Sequence, residues 1–285
     1  MKDRLNPLND YLFLKVMGEK GDEEQLCAFL NAVLCREGQA IIESVEIIEN
    51  KTILAEVIGD KTSILDVRAM IVENNRKIGV EVQLRNMGDM GRRSLFYWSR
   101  EFSRGMEAGQ DYQESSNVIT INILDYEFLP SGEDFHTSFH IYEDKRREIL
   151  LTDALEIHFI DMVKFRRQKE KDIQKDALHR WLTWFDQNSS RSQVEEAIKM
   201  DSGIQKAEEK MAYVSRDKEA LRVYQMREMA LSDWTSGLNH ARREGLRKGM
   251  EKGIEKVAAR MKKRGAPIEQ IMEDTGLSLE DIAAL

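Results

Sequence analysis

The chain has 285 residues, of which 41% are hydrophobic, and its formal net charge is −8 at pH 7. This length and composition allow a sizeable core, which excludes an intrinsically disordered protein. The negative net charge argues against a protein that covers nucleic acid with its whole surface. No apolar run approaches the roughly 20 residues that span a bilayer, and the first residues lack the build of a signal peptide, so we expect a cytoplasmic protein.

Positive charge is concentrated in two stretches of this acidic chain. Residues 164–180 contain seven basic and three acidic side chains, and residues 242–264 contain ten basic and three acidic ones. Each stretch is typical either of a solvated helix face or of a local basic surface.

The first part of the chain predicts helices and strands in alternation. NDYLFLKVMG predicts a short helix capped by Asn9 or Asn6 and ended by Gly18, and residues 22–34 carry the apolar stripe of a longer helix. Strands are predicted in SVEIIEN, TSILDVRAMIVEN and KIGVEVQL. A helix over residues 90–109 and strands in NVITINILDYEF, FHTSFHIYE and ALEIHFIDM follow. The succession predicts an α/β layered core of roughly 165 residues.

Beyond this core the patterns are helical, and small residues recur at every fourth position. They are Gly237, Ala241, Gly245, Gly249 and Gly253. Each interior glycine costs a helix about 1 kcal/mol relative to alanine. Either close helix–helix packing or self-association offsets that cost, or the segment is a frayed linker. We therefore predict three parts: a core over 1–165, a helical extension over 166–235, and an assembly region over 236–285.

The last residues, APIEQIMEDTGLSLEDIAAL, predict two short helices, the second with a capping box of Ser278 and Asp281. They contain five acids and no lysine or arginine, so we expect them not to enter a DNA groove. Their apolar side chains are predicted to pack on a partner helix or a second subunit. These residues are Ile268, Ile271, Met272, Leu277, Leu279, Ile282 and Leu285.

Two of the predicted strands bring acidic side chains together. If Asn74 and Asn75 form a two-residue turn, Asp66 stands opposite Gln83, and Glu81 lies on the same face. Asp66 and Glu81 are then diagonal neighbours, about 7 to 8 Å apart at their backbones, within reach of one bridging cation. A longer loop would shift the diagonal but not the gathering of these groups. A half-buried antiparallel pair also has a polar face by default, so the spacing leaves both interpretations open.

The donor atoms of this face favour a hard cation. Carboxylate and carbonyl oxygens suit Mg²⁺, with Mn²⁺ or Ca²⁺ as substitutes, and do not suit zinc. Two cysteines and five scattered histidines also argue against a zinc cluster.

Several stretches, in chain order, resemble one known family. They are NDYLFLKVMG, ILDVRAM, VEVQLRN, RRSLFYWSREFSRGMEAGQDYQESSNVITINIL and LEIHFIDMVKF. They are similar to the PD-(D/E)XK nucleases of the recombination-promoting nuclease group, also described as transposases. The resemblance covers residues 1–165, and the glycine-rich tail with GLSLEDIAAL extends it to the C-terminus. It implies a restriction-endonuclease-like core with a central mixed β-sheet flanked by helices.

The resemblance also implies site residues. Asp66 matches the first motif acid, and Glu81 and Gln83 match an E-x-Q motif in which glutamine replaces the lysine of the broader superfamily. A cation held by Asp66, Glu81 and the carbonyl of Val82 would lower the pKa of a bound water and stabilise the charge of the transition state. Gln83 would orient that water, but it cannot carry the charge of a lysine, so we expect low activity.

Other residues have weaker assignments. Asp10 matches the acidic position of the family's first helix, where it either adds a ligand, directly or through water, or is a helix-start acid favoured by the dipole. Leu14 and Met17 stand where lysine and phenylalanine are frequent, which puts the polar face of this helix in doubt.

Three arginines follow the E-x-Q motif. Arg85, Arg92 and Arg93 either position DNA phosphates or serve solubility and local ion pairing.

The predicted function is that of a Mg²⁺-dependent DNA endonuclease of low sequence specificity that forms a homo-oligomer through its C-terminal helices. It would act in DNA recombination, mobile-element biology or defence against foreign DNA. The alternative is a catalytically weak or inactive DNA-binding and assembly module on the same fold, which Gln83 and the overall acidity favour. An enzyme on a small-molecule substrate is disfavoured, because the sequence has no Gly-rich phosphate loop and no nucleophile signature.

Overall fold

The computed structural model describes residues 4–35, 41–48, 66–104, 109, 111–112, 115–130 and 132–285. The strands are β1 (Val45–Ile47), β2 (Val67–Ile71), β3 (Arg76–Gln83), β4 (Val118–Leu124), β5 (His136–Tyr142) and β6 (Leu150–Asp161). The helices are α1 (Asp10–Met17), α2 (Glu23–Leu34), α3 (Met90–Arg104), α4 (Met162–Arg167), α5 (Ala177–Phe185), α6 (Arg191–Met200), α7 (Ser202–Val214), α8 (Lys218–Lys263), α9 (Ile268–Thr275) and α10 (Leu279–Ala284). The chain divides into two compact units, Met1–Gln225 and Met226–Leu285.

The strands form one mixed sheet in the order β1-β2-β3-β4-β6-β5. The pairs β3–β4 and β4–β6 are parallel, and the other neighbours are antiparallel. Because β3 and β4 are parallel, the chain must cross back over the sheet between them, and α3 forms this crossover. The predicted α/β core with a central mixed sheet and flanking helices is confirmed.

Each predicted strand overlaps an observed strand, with different bounds. Residues 49–50 of the first prediction and 62–65 of the second lie outside the described residues, as do residues 105–108 of the helix predicted to end at Gly109. The helix α1 begins and ends as predicted: the Asn9 side chain accepts from the Leu12 amide, and Gly18 caps the C-terminus.

The predicted two-residue turn between β2 and β3 is wrong. Ile71 pairs with Arg76 and Val67 with Val80, so the loop holds four residues, 72–75. A two-residue type I′ turn needs positive φ at both central positions, and of the two asparagines only Asn75 adopts it, with φ of 54°. The shift amounts to two residues, which is one full period of a strand, so every side chain keeps its predicted face.

The helices α1 and α2 cover the face of the sheet that carries Val67 and Val80. A β-carbon at Gly18 would lie 2.9 Å from Cγ2 of Val67, so the end of α1 approaches the sheet closely. Buried aliphatic side chains of β1 to β4 and of both helices form one cluster. Their burial is the main favourable contribution to the stability of this half of the sheet.

The helices that follow the sheet complete this core. The Phe29 ring of α2 packs edge-on against Trp181 and Phe185 of α5, with centroids 5.5 and 5.4 Å apart. Phe13 of α1 contacts Phe185, and the centroid of the Trp184 ring is 5.2 Å from that of Phe185. Residues 166–225 therefore share a hydrophobic core with α1 and α2, although the predicted three-part division itself stays a prediction.

In the second unit, α9 and α10 fold back on the end of α8. Ile271 and Ile282 are fully buried against Ala258, and the Lys262 ammonium donates to the carbonyl groups of Ile282 and Ala283. The predicted capping box of Ser278 is present. The predicted partner helix is thus α8 of the same chain. Four of the predicted apolar positions remain at least 38% exposed: Ile268, Met272, Leu279 and Leu285.

The small residues at 237–253 all lie within α8, a helix of 46 residues. Since the helix is continuous there, the interpretation as a frayed linker is wrong. Among the described residues, no helix is both long enough and apolar enough to cross a membrane.

Candidate active site

The predicted acids meet where β3 ends. Glu81 and Gln83 are near the carboxyl end of this strand, beside the parallel strand β4, which is where open α/β sheets bind ligands. Asp66 immediately precedes β2, and the pairing of Val67 with Val80, continued by one residue, sets Asp66 opposite Glu81. Oδ2 of Asp66 accepts a hydrogen bond from the Val82 amide at 2.6 Å. Asp66 and Glu81 are therefore direct neighbours, not the diagonal pair that the sequence predicted.

Glu81 is a buried carboxyl with one unsatisfied oxygen. Only 6% of the residue is exposed, and Oε1 accepts a long hydrogen bond from the Tyr97 hydroxyl at 3.4 Å. Within the described chain, Oε2 has no hydrogen-bond partner. Burial raises the pKa of Glu81 to about 8, against the opposing effect of the Arg93 charge. A buried oxygen left without a partner costs folding free energy, and a bound cation would remove that cost.

The Gln83 amide is held at both ends. Its Oε1 accepts from Nη1 of Arg93 at 3.0 Å, and its Nε2 donates to the Arg85 carbonyl at 3.2 Å. These two bonds fix which end of the amide faces α3. By count, an amide retains a second N–H and a second lone pair with which to orient water.

The three arginines behind the motif have different surroundings. Arg93 is half-buried and contacts Gln83, whereas Arg92 is exposed. Arg85 is half-buried too; burial lowers the pKa of its guanidinium, and the charge of Asp10 opposes that effect. The Arg93 side chain reaches the predicted motif, and the phosphate contacts of all three arginines stay predictions.

Asp10 lies at the N-terminus of α1, and its Oδ1 accepts from the Tyr11 amide. The residue that caps the helix is Asn9, so Asp10 is not needed as a cap. Its charge acts on both Glu81 and Arg85, which lie on the site side of β3. This proximity is compatible with a ligand role, directly or through water, which stays a prediction.

The helix α3 covers the site with polar side chains that the sequence analysis did not select. Ser94, Tyr97 and Glu101 are all buried on its inner side. Ser94 Oγ accepts from Nδ2 of Asn122, which pairs with Glu81 across β3 and β4. The spacing of the three residues by three and four positions is the available signal, but such a polar stripe normally indicates a solvated helix face.

A divalent cation fits the side chains of this site only in part. Among the described residues, no group of three or more histidine, cysteine, aspartate or glutamate side chains is arranged to hold a metal ion. The donors at hand are the two carboxylates, Asp66 and Glu81, and backbone carbonyl groups. Hard oxygen donors with remaining positions filled by water are typical of Mg²⁺, and Oε2 of Glu81 is a ready ligand.

Comparison with known proteins gives one match. No curated protein and no solved structure matches the chain. The sequence model of a family described as PD-(D/E)XK nuclease family transposase matches residues 7–241. That range includes the six strands, the helices α1 to α7 and more than half of α8. The chain therefore belongs to the PD-(D/E)XK nuclease family of transposases.

Proposed function

We propose that the protein is a metal-dependent endonuclease that hydrolyses phosphodiester bonds of DNA with low sequence specificity. The observation that carries the proposal is the pair of Asp66 and Glu81 at the carboxyl end of β3, with Oε2 of Glu81 buried and without a partner among the described residues. Membership of a nuclease family supports the same reaction. Such an activity would serve DNA recombination, mobile-element biology or defence against foreign DNA.

Each residue has a defined part in the proposal. Asp66 and Glu81 would hold Mg²⁺ together with the Val82 carbonyl, and Asp10 would add a ligand directly or through water. When bound, the cation supplies an activated water and a polarised phosphate. Gln83, fixed by Arg93 and the Arg85 carbonyl, orients the attacking water.

Low specificity follows from the cations beside the site. Arg85, Arg92 and Arg93 precede or begin α3, close in sequence to the E-x-Q motif, and would contact DNA phosphates. Contacts to phosphate oxygens fix the position of DNA but carry no sequence information.

The test is nicking of supercoiled plasmid with Mg²⁺ by the wild type, Asp66→Asn and Glu81→Gln. Asparagine retains an oxygen for the Val82 amide while the charge is removed, so folding should persist. We expect both variants to lose at least about 100-fold in rate. Glu46→Gln is the matched control, since Glu46 is an exposed acid on β1 away from the site. Equal nicking by all four proteins would show contamination or a different site.

A second candidate is a DNA-binding and assembly module with little or no catalysis. Among the described residues the site has few carboxylates, namely Asp66, Glu81 and the nearby Asp10, and this favours it. Calorimetric titration with Mg²⁺ and Mn²⁺ in the presence of DNA separates the two functions. If DNA binds and neither metal does, the module is the correct assignment.

The exposed side of α8 supports assembly with a second copy of the chain. Leu238, Leu246 and Met250 are 50 to 64% exposed. At the neighbouring Gly237, Gly245, Gly249 and Gly253, the position that a β-carbon would take has no described atom within 4 Å apart from the adjacent residues and the backbone of the helix itself. A row of apolar side chains beside a row of glycines is self-complementary, because the ridge of one helix fits the groove of another. The basic stretch 242–264 and the acidic stretch 266–285 add charge complementarity between copies.

Light scattering tests this assembly. Gly245→Leu fills the groove while it raises helix propensity, so a lower oligomeric mass with an intact helix supports the interface. Deletion of residues 266–285 should lower the mass and leave DNA affinity nearly intact. An unchanged mass with a large loss of DNA affinity would instead assign the hairpin of α9 and α10 to DNA binding.

A further inference from the structure

The proposed reaction needs more positive charge than Gln83 can supply. During hydrolysis the water oxygen bonds to phosphorus, one bond from phosphorus to a sugar oxygen breaks, and a proton of the water ends on that leaving oxygen. The remaining phosphate oxygens carry extra negative charge in the transition state, and fixed cations beside them lower the barrier. The Gln83 amide is neutral, whereas the motif that names the superfamily, PD-(D/E)XK, ends in a lysine, so here another group is needed to supply the positive charge.

Arg93 is held beside the Gln83 side chain. It lies in the first turn of α3, where its amide donates to the Asp89 carbonyl, and its Nη1 is 3.0 Å from Oε1 of Gln83. The guanidinium carbon is 5.9 Å from the centroid of the Tyr97 ring, whose hydroxyl donates to Glu81. Arg93 therefore contacts Gln83 directly and lies beside the tyrosine that donates to Glu81.

The charge of Arg93 is not neutralised by a close ion pair. In the described part of the chain, no carboxylate oxygen lies within 4.0 Å of its guanidinium nitrogens, whereas Arg104, on the same helix, pairs with Glu101 at 2.7 Å. Its charge acts on the surrounding groups. Burial raises the pKa of Glu81 and of Tyr126, and the charge of Arg93 is the largest effect that lowers each of these pKa values. A guanidinium has five N–H donors, and the bond to Gln83 uses one of them. The others remain to fork onto phosphate oxygens.

We propose that Arg93 is a catalytic residue. From α3 its guanidinium supplies the positive charge that Gln83 lacks, and its N–H groups donate hydrogen bonds to the scissile phosphate in the transition state. This assignment rests on the proposed endonuclease function. Arg93 differs in this from Arg92, whose exposed side chain can bind DNA backbone away from the reacting group.

The experiment compares Arg93→Gln and Arg93→Lys with the wild type in the full-length protein. We expect Arg93→Gln to lower kcat about 100-fold, as loss of one preorganised donor does, with KM for DNA changed by less than about fivefold. Arg93→Lys keeps the charge without the fork and should recover kcat to within about tenfold of the wild type. Arg191→Gln is the matched control, because Arg191 is a surface residue of α6 paired with Glu195.

Magnesium affinity, measured by calorimetry without DNA, is a second readout. A cation next to Glu81 repels Mg²⁺, so Arg93→Gln should bind Mg²⁺ about three- to tenfold more tightly even as it cleaves more slowly. A purely structural role of Arg93 would not tighten metal binding.

The outcomes separate this assignment from the proposed function. If the wild type shows no Mg²⁺-dependent cleavage, the endonuclease function itself is wrong. If the wild type cleaves and Arg93→Gln cleaves at the same kcat, or only its KM rises, Arg93 is not catalytic. A lysine variant as slow as the glutamine variant, or unchanged Mg²⁺ affinity in Arg93→Gln, would also overturn the role of the charge.

Discussion

On the side of α1 and α2, the central sheet buries aliphatic side chains beneath aromatic rings, whereas on the side of α3 it buries Glu81, Thr120 and Asn122. Each of these three has a side-chain oxygen without a hydrogen-bond partner in the described structure. The first face therefore stabilises the fold, whereas on the second these three polar groups offset part of the stabilisation that an apolar cluster around Met90, Leu124 and Phe159 provides. Polar groups kept at such a cost are typical of functional sites.

The largest effect should come from the apolar face. Phe29→Ala removes a fully buried ring that packs on Trp181 and Phe185, so we expect the free energy of unfolding to fall by about 3 to 5 kcal/mol. Phe96→Ala makes the same change at a residue that is 50% exposed and should cost less than about 1 kcal/mol. Urea denaturation measures both, and similar losses would show that the aromatic cluster is not the main core.

An intermediate effect should come from Glu81, and it should depend on pH. Burial raises its pKa in the folded protein to about 8, above the ordinary value of 4.5, so the folded state binds more protons between these values. The metal-free wild type must then lose stability as pH rises from 5 to 8. Glutamine does not titrate, so the variant's free energy of unfolding does not change in this way. The free energy of unfolding of Glu81→Gln, relative to that of the wild type, should therefore rise by about 1 kcal/mol or more between pH 5 and pH 8.

Denaturation at several pH values, in the presence of a chelator, measures this gain. Glu46→Gln provides the baseline, because Glu46 is exposed. A stability difference between the wild type and Glu81→Gln that stays constant from pH 5 to pH 8 would mean that Glu81 is already ionised when it is buried.

The smallest effect should come from Thr120, whose Oγ1 is buried and has no partner among the described residues. Valine has nearly the same shape and no hydroxyl, so Thr120→Val should leave the melting temperature unchanged or raise the stability by up to about 1 kcal/mol. Thr183→Val tests the same change in α5, away from the sheet face. A clear loss at position 120 alone would indicate that water or a ligand uses this hydroxyl.

Sequence patterns predicted the elements better than the contacts between them. The caps of α1 and α10 and the alternation of β3 depend on near neighbours in the chain, so local rules suffice. The prediction of a two-residue turn before β3 was wrong, because the φ of Asn74 depends on how the whole hairpin closes.

The candidate site shows the same limit. Strand alternation alone set Asp66, Glu81 and Gln83 on one face. The distinction between Arg92 and Arg93 could not be predicted, because it depends on how α3 is rotated against the sheet. The covering role of Ser94 and Tyr97 depends on the same rotation.

The hydrogen bond between Arg93 and Gln83 links two sequence positions ten residues apart. A lysine at position 83 would set a second positive charge against the guanidinium, and a glutamate would set a carboxylate against the Arg85 carbonyl that now accepts from the amide. The lysine exchange is therefore unfavourable while Arg93 stays charged, whereas a glutamate would lose the bond to the Arg85 carbonyl and gain an ion pair with Arg93. The two positions should therefore vary together among related chains: lysine at the first should accompany a neutral residue at the second, and glutamine should accompany arginine.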